Sequence, residues 1–198
     1  MGSSTGTDNR YPDELAERLA GTHRPASVVN TGIGGNRLLN GSPCFGDAAL
    51  VRFQRDVLDQ ARARTAIVLL GINDIVSNDV DTFGCFDPRP TVTAQQIIDG
   101  HRKMIRAAHA HGIRMIGATI TPYEGFQFYT AQGERLRQEV NRWIRTSGEY
   151  DAVVDFDRVV ADPSAPGRIR AEYDSGDHLH PGDAGYRAMA HAVDLKTL

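Results

Sequence analysis

The sequence predicts an α/β domain built on a parallel β-sheet, and three observations carry that prediction. Thr65-Ala66-Ile67-Val68-Leu69-Leu70 is an unbroken apolar run ending at Gly71, the pattern of a strand buried on both faces. Such short runs alternate along the chain with longer stretches of helical periodicity, the order that right-handed β-α-β crossovers produce. No internal repeat, linker or low-complexity tract interrupts the alternation, so the 198 residues read as one domain spanning 1–198. In sheets of this kind ligands bind outside the carboxyl ends of the strands. The loops that follow strands are therefore where chemistry is to be sought.

Residues 1–9 are small and polar and read as a loose loop. A helix begins at Tyr11, with Pro12, Asp13 and Glu14 in its first turn and Leu15 and Leu19 on one face, and Gly21 ends it. Ala26-Ser27-Val28-Val29-Asn30 reads as a short strand running into the glycine turn at Gly32, Gly34 and Gly35. Leu50, Phe53, Val57 and Leu58 space a helix over about Ala48 to Arg62. After the strand at 65–70, a loop from about Ile75 to Pro90 carries aspartates, prolines and Cys85. Ile97, His101, Met104, Ile105 and Ala108 mark a helix over about Thr93 to His111, and Ile113 to Thr119 the next strand. A loop with Tyr123, Phe126, Phe128 and Tyr129 leads to a helix bearing Leu136, Val140, Trp143 and Ile144. Asp151 to Phe156 is the last predicted strand, and Pro181 to about Val193 the last helix.

Composition excludes several classes. The net charge of -3 offers no basic face for a nucleic acid. No run approaches the ~20 apolar residues of a membrane span. Met1 to Asp8 has neither the basic start nor the apolar core of a leader peptide, and location stays open. Cys44 and Cys85 are too few for a disulfide framework and form no CxxC. A disulfide between them, which would point to an exported parent protein, and two free thiols fit the sequence equally.

The chemistry-bearing residues cluster in three places. In Asp177-His178-Leu179-His180-Pro181 an acid stands three residues before a histidine at the mouth of the last helix. That spacing suits an imidazole held in one tautomer by a carboxylate and acting as a general base. Gly71-Ile72-Asn73-Asp74 sets an asparagine amide directly after a strand. Asn30-Thr31-Gly32-Ile33-Gly34-Gly35-Asn36 offers backbone N–H groups unobstructed by side chains. Donors of these two kinds can form an oxyanion hole, although glycine turns and Asn-Asp caps are also common punctuation. Asp177, His178 and His180 could ligate a metal, but no further ligand converges on them, so no metal or organic cofactor is expected. His178 reads as a rim histidine, and His101, His109 and His111 as structural.

These three blocks, which follow one another along the chain as Asn30–Asn36, Gly71–Asp74 and Asp177–Pro181, resemble those of the SGNH (GDSL-type) hydrolases, which are esterases and lipases. The resemblance runs from about Asp8 to the C-terminus. It implies a flavodoxin-like three-layer sandwich, with Asp177 as the triad acid, His180 as the base and Asn73 as an oxyanion donor. Gly35 matches the backbone donor best, with its neighbour Gly34 as the alternative. The implied partner is a small-molecule carbohydrate or lipid ester, and the implied reaction its hydrolysis through an acyl-enzyme. The family's opening block, a hydrophobic strand followed by Gly-Asp-Ser, has no match. The first, interior strand of the sheet and the nucleophile are therefore expected to be missing. Ser3 and Ser4 are weak candidates for the nucleophile, because neither sits on the strand-to-helix elbow that exposes such a hydroxyl. The chain is expected to be impaired as an esterase, or alternatively to be a non-catalytic relative that binds a carbohydrate or lipid ester.

Overall fold

The computed structural model describes residues 1–23, 25–80 and 84–198. The architecture is α/β, and the chain divides into two compact units.

The larger unit comprises residues 31–120 and 128–153. Its helices include α2 (Ala49–Phe53), α3 (Ile72–Val76), α4 (Ala94–Ala110) and α5 (Ala131–Thr146), and its sheet is formed by β1 (Thr65–Val68), β2 (Arg114–Ala118) and β3 (Ala152–Val154) in the order β1-β2-β3. β1 and β2 pair in parallel, from Thr65 opposite Arg114 to Val68 opposite Gly117. α4 starts where the sequence places it because Thr93 and Gln96 form a reciprocal capping box. Its stripe Ile97, His101, Met104, Ile105 and Ala108 is buried, packed with Val140 and Ile144 of α5 and with Met115 of β2. Two buried polar groups secure the end of β2: Asn141 exchanges hydrogen bonds with Ile120 N–H and C=O, and Arg137 donates to the same carbonyl while pairing with Glu134.

The expected long helix at 48–62 is short. It is α-helical only to Phe53, continues as a π-turn over Gln54–Leu58 and stops at Asp59. β1 is half-buried rather than enclosed on both faces, only Val68 being fully buried, because among the described residues β2 is its only ladder partner. Within the predicted 75–90 loop, α3 forms directly after Gly71, whose φ of 121° turns the chain out of the strand. Residues 81–83 of that loop lie outside the described residues. Cys44 and Cys85 are joined by a disulfide, with Cα atoms 5.1 Å apart.

The smaller unit comprises residues 1–30, 121–127 and 154–198. It contains α1 (Tyr11–Ala20), α6 (Phe156–Val160), the antiparallel pair β4 (Ala161–Asp162) and β5 (Ala165–Ile169), and α7 (Asp183–Ala192). α1 and α6 both pack on α7, burying Leu15, Leu19, Phe156, Val160 and Met189. Arg18 of α1 donates to the Ala190 and Val193 carbonyls, satisfying the open end of α7. The expected strand at 26–30 does not form. The segment is extended without a ladder, and Val29 is 66% exposed, since apolar β-prone residues make a strand only where a neighbouring edge takes up their backbone groups. The expected strand at 151–156 ends at Val154, where Asp155 caps α6 by accepting from Arg158 N–H. α7 begins at Asp183 rather than at Pro181, with Gly182 as its N-cap.

Candidate functional site

In the smaller unit the Asp177–His180 pair is formed. Asp174 and Pro181 form an antiparallel bridge, Ser175 N–H donates to the His180 carbonyl at 3.1 Å and Gly182 N–H to the Tyr173 carbonyl at 2.7 Å, so residues 174–181 close as a loop before α7. Within it, His180 Nδ1 lies 2.6 Å from Asp177 Oδ2, while Asp177 Oδ1 accepts from Leu179 N–H at 2.9 Å and His180 N–H at 2.8 Å. Partial burial works to raise the Asp177 carboxyl, but the bonds from His180 and Leu179 outweigh it and hold the group at about 2. An ionised carboxylate only accepts, so Nδ1 carries the proton between them, and in the neutral ring the lone pair is on Nε2.

A second pair lies in the same loop. His178 Nδ1 is 2.5 Å from Asp174 Oδ2, and Asp174 Oδ1 accepts from Gly176 N–H and His178 N–H. These bonds hold His178 at a φ of 63°, a region that non-glycine residues seldom occupy. The sequence treats His178 as a rim residue; the Asp-x-x-x-His spacing of Asp174 and His178 is the signal for this pair.

The two candidate nucleophiles also lie in this unit. Ser4 directs both its N–H (2.8 Å) and its hydroxyl (2.7 Å) to Asp183, the first residue of α7, and Asn9 donates to the same carboxylate. The Ser4 hydroxyl thus donates to a carboxylate, not to the Nε2 of a histidine. Ser3 lines a shallow surface cavity with Met1, Thr5, Asp8 and Arg10. Residues 1–9, expected to be loose, are further held by Tyr186, whose hydroxyl donates to the Met1 carbonyl. Gly2 packs so closely on His180 and Pro181 that an added Cβ would lie 2.3 Å from the Pro181 carbonyl oxygen.

In the larger unit Asn73 bonds to the residue that follows Gly35. Asn73 Nδ2 donates to the Asn36 carbonyl at 3.0 Å. Asp74, fully buried, accepts from Leu38 N–H at 2.7 Å and Leu39 N–H at 2.9 Å, so α3 grips the segment that follows the glycine turn. Burial pushes the Asp74 carboxyl up to about 6, with the Leu38 and Leu39 amides and Arg37 opposing the shift. Gly35 sits at a φ of 76°, and its N–H has no protein acceptor among the described residues. Sequence reasoning assigns Asp74 no role, although its place after the strand in Gly71-Ile72-Asn73-Asp74 marks it. Among the described residues no group of three or more His, Cys, Asp or Glu side chains is arranged to hold a metal, and no helix is long and apolar enough to cross a membrane.

The fold is similar to that of solved structures. A structure of a protein described as lipolytic and of the G-D-S-L family, from Desulfitobacterium hafniense DCB-2, is 20% identical and superposes with a TM-score of 0.71 over 96% of this chain and 90% of that one. An aryl esterase from M. smegmatis is 15% identical, with a TM-score of 0.67 and coverage of 93% and 82%. An acetylxylan esterase from Geobacillus stearothermophilus is 18% identical, with a TM-score of 0.65 and coverage of 92% and 78%. Likeness at these identities establishes the shared fold. No curated protein sequence matches. The profile of the GDSL-like lipase/acylhydrolase family matches residues 1–188, and the chain belongs to that family of ester hydrolases.

Proposed function

We propose that the chain carries the acid–base and oxyanion parts of a serine-type carboxylic-ester hydrolase. The observation that supports this best is the Asp177–His180 pair, with Nδ1 2.6 Å from the Asp177 carboxylate. In the full reaction a serine hydroxyl attacks the ester carbonyl and loses its proton to His180 Nε2. Asp177 stabilises the imidazolium, which returns the proton to the departing alcohol. The Gly35 N–H and the second Asn73 amide proton hold the charge that develops on the carbonyl oxygen. Water then repeats the sequence on the acyl-enzyme. The substrate class is a small-molecule ester of a carbohydrate or lipid, and the reaction drawn this way calls for no metal or organic cofactor.

The nucleophile is the part that this chain does not supply. No Gly-Asp-Ser occurs in the sequence, and Ser4 is bound to Asp183. The proposed state is therefore an impaired esterase. With p-nitrophenyl acetate, the protein should release nitrophenol at a background rate unchanged by His180→Ala or by Ser3→Ala with Ser4→Ala. Turnover abolished by each of these substitutions would overturn the proposed impairment and identify the nucleophile. The bound state of Ser4 also favours a second reading, a non-catalytic protein that binds such esters. That reading requires binding of an acetylated sugar or lipid ester that survives His180→Ala.

A further inference from the structure

Gly35 is a position at which no side chain fits, for two separate reasons. Its φ of 76° disfavours any L-residue, and a Cβ there would lie 2.4 Å from Phe45 Cδ1. The Phe45 ring occupies the space a side chain would take, directly against the residue whose N–H has no protein acceptor among the described residues. The turn that carries this ring is held at several points. It is closed by Ser42 N–H to the Gly46 carbonyl, by the return bond from Gly46 N–H, and by Phe45 N–H on Ser42 Oγ at 2.8 Å. Asn36, the residue after Gly35, donates through Nδ2 to the carbonyls of Phe45 and Asp47 at 2.8 Å each. The Cys44–Cys85 disulfide then ties this turn to a second loop. There the Phe86 ring meets Phe45 at 5.3 Å, while Arg37 stacks on Phe86 and donates to the carbonyls of Phe86, Pro88 and Gly41.

We propose that Phe45, clamped by the Cys44–Cys85 disulfide, is the residue that limits the size of the acyl group accepted at Gly35. The inference rests on the oxyanion reading of Gly35 under the proposed function. A carbonyl oxygen that accepts from the Gly35 N–H carries its alkyl group beside a half-exposed aromatic wall. With the turn pinned at its backbone and the ring packed on Phe86, the wall has little room to retreat for a longer chain, so short acyl groups are favoured over long ones. Discrimination of this kind in an apolar pocket is worth about tenfold per step in size.

Carboxylate products report on the site without any need for turnover. The full chain, labelled with ¹⁵N, is titrated with acetate, butyrate and octanoate while the Gly35 backbone amide and the Asn73 side-chain amide are followed by NMR. In the wild type the expected order of affinity is acetate and butyrate above octanoate. Phe45→Ala should raise the octanoate-to-acetate affinity ratio by about tenfold, and Phe45→Leu, which keeps an apolar side chain, by less. Cys44→Ser with Cys85→Ser should move the ratio in the same direction with Phe45 still present. If both resonances respond but the ratio is the same in wild type and both Phe45 variants, Phe45 does not select the acyl group. A ratio unchanged in the double serine variant removes the disulfide from the proposal. If no carboxylate moves either resonance, the oxyanion reading fails first and the acyl-size proposal falls with it.

Discussion

Replacing His101 should change how this protein responds to acid. His101 is fully buried on α4, with Nδ1 2.6 Å from the Tyr150 hydroxyl and its ring 6.0 Å from that of Trp143. Burial lowers the imidazole from 6.5 to about 4, because the charged form loses its water. In the unfolded chain the same group takes a proton near 6.5. Between these values the unfolded state binds the extra proton, so the contribution is complete above about 6.5 and is lost as the pH falls toward 4. Each pH unit between the folded and unfolded values is worth ~1.36 kcal/mol, so from about pH 7.5 to about pH 4.5 the loss is ~2.5 kcal/mol. Asp74 works the other way. Its carboxyl, raised to about 6, favours the folded state as it takes up a proton, which contributes ~2 kcal/mol over the same interval. The wild type alone would therefore show little net change. The informative quantity is the difference in urea-unfolding free energy between the wild type and His101→Phe at each pH. The substitution carries a fixed cost from the orphaned Tyr150 hydroxyl, but the difference should shrink by ~2.5 kcal/mol at the lower pH. Stability curves that stay parallel, or a His101 imidazole that titrates near 6.5 in the folded protein, would refute the reasoning.

Other substitutions test the two proposed halves of the chemistry. Asp74→Ala leaves the Leu38 and Leu39 amides without an acceptor, and urea unfolding should show a loss of about 2 kcal/mol or more. Gly35→Ala must adopt a left-handed conformation and displace the Phe45 ring, costing at least ~1–2 kcal/mol and shifting the Phe45 ring resonances. Asp177→Asn removes the ionised acceptor of the His180 Nδ1 proton, so the ¹⁵N shifts of that ring should move from one tautomer toward a mixture; unchanged shifts would contradict the assignment. Asp183→Ala frees Ser4 and Asn9, and hydrogen exchange of the first nine residues should accelerate while that of α4 does not.

The long helices were legible because their signals are local. α4 and α5 each have a threonine N-cap and a buried stripe at helical spacing, and they form close to where those signals place them. The Asp-x-x-His block was legible for the same reason, since one carboxylate closes the loop over three residues. What failed depended on partners distant in sequence. The 26–30 run has strand composition, yet composition provides no edge to pair with. β1 reads as enclosed, yet its burial depends on what lies beside it. Two boundaries have local signals of their own. Asp155 is an N-cap that ends β3 and starts α6, and Asp162 accepts from the Ser164 N–H and hydroxyl to turn β4 into β5. Phe45 was beyond the motifs, because its place depends on what it touches, whereas Asp174 had a local signal in its spacing to His178.

The half-buried β1 has a consequence for handling the protein. Among the described residues its ladder is filled on one side only, and an open row of strand amides and carbonyls is a template for pairing between molecules. Arg62 and Arg64, both exposed, stand immediately before it, where like charges on neighbouring molecules repel and discourage stacking. Salt that screens these charges should raise the tendency to self-associate, with the Debye length falling from about 10 Å at ~0.1 M to about 3 Å at ~1 M. Light scattering across that range, with Arg62→Ser and Arg64→Ser alongside, would make the colloidal behaviour of the protein a readout of a single strand edge.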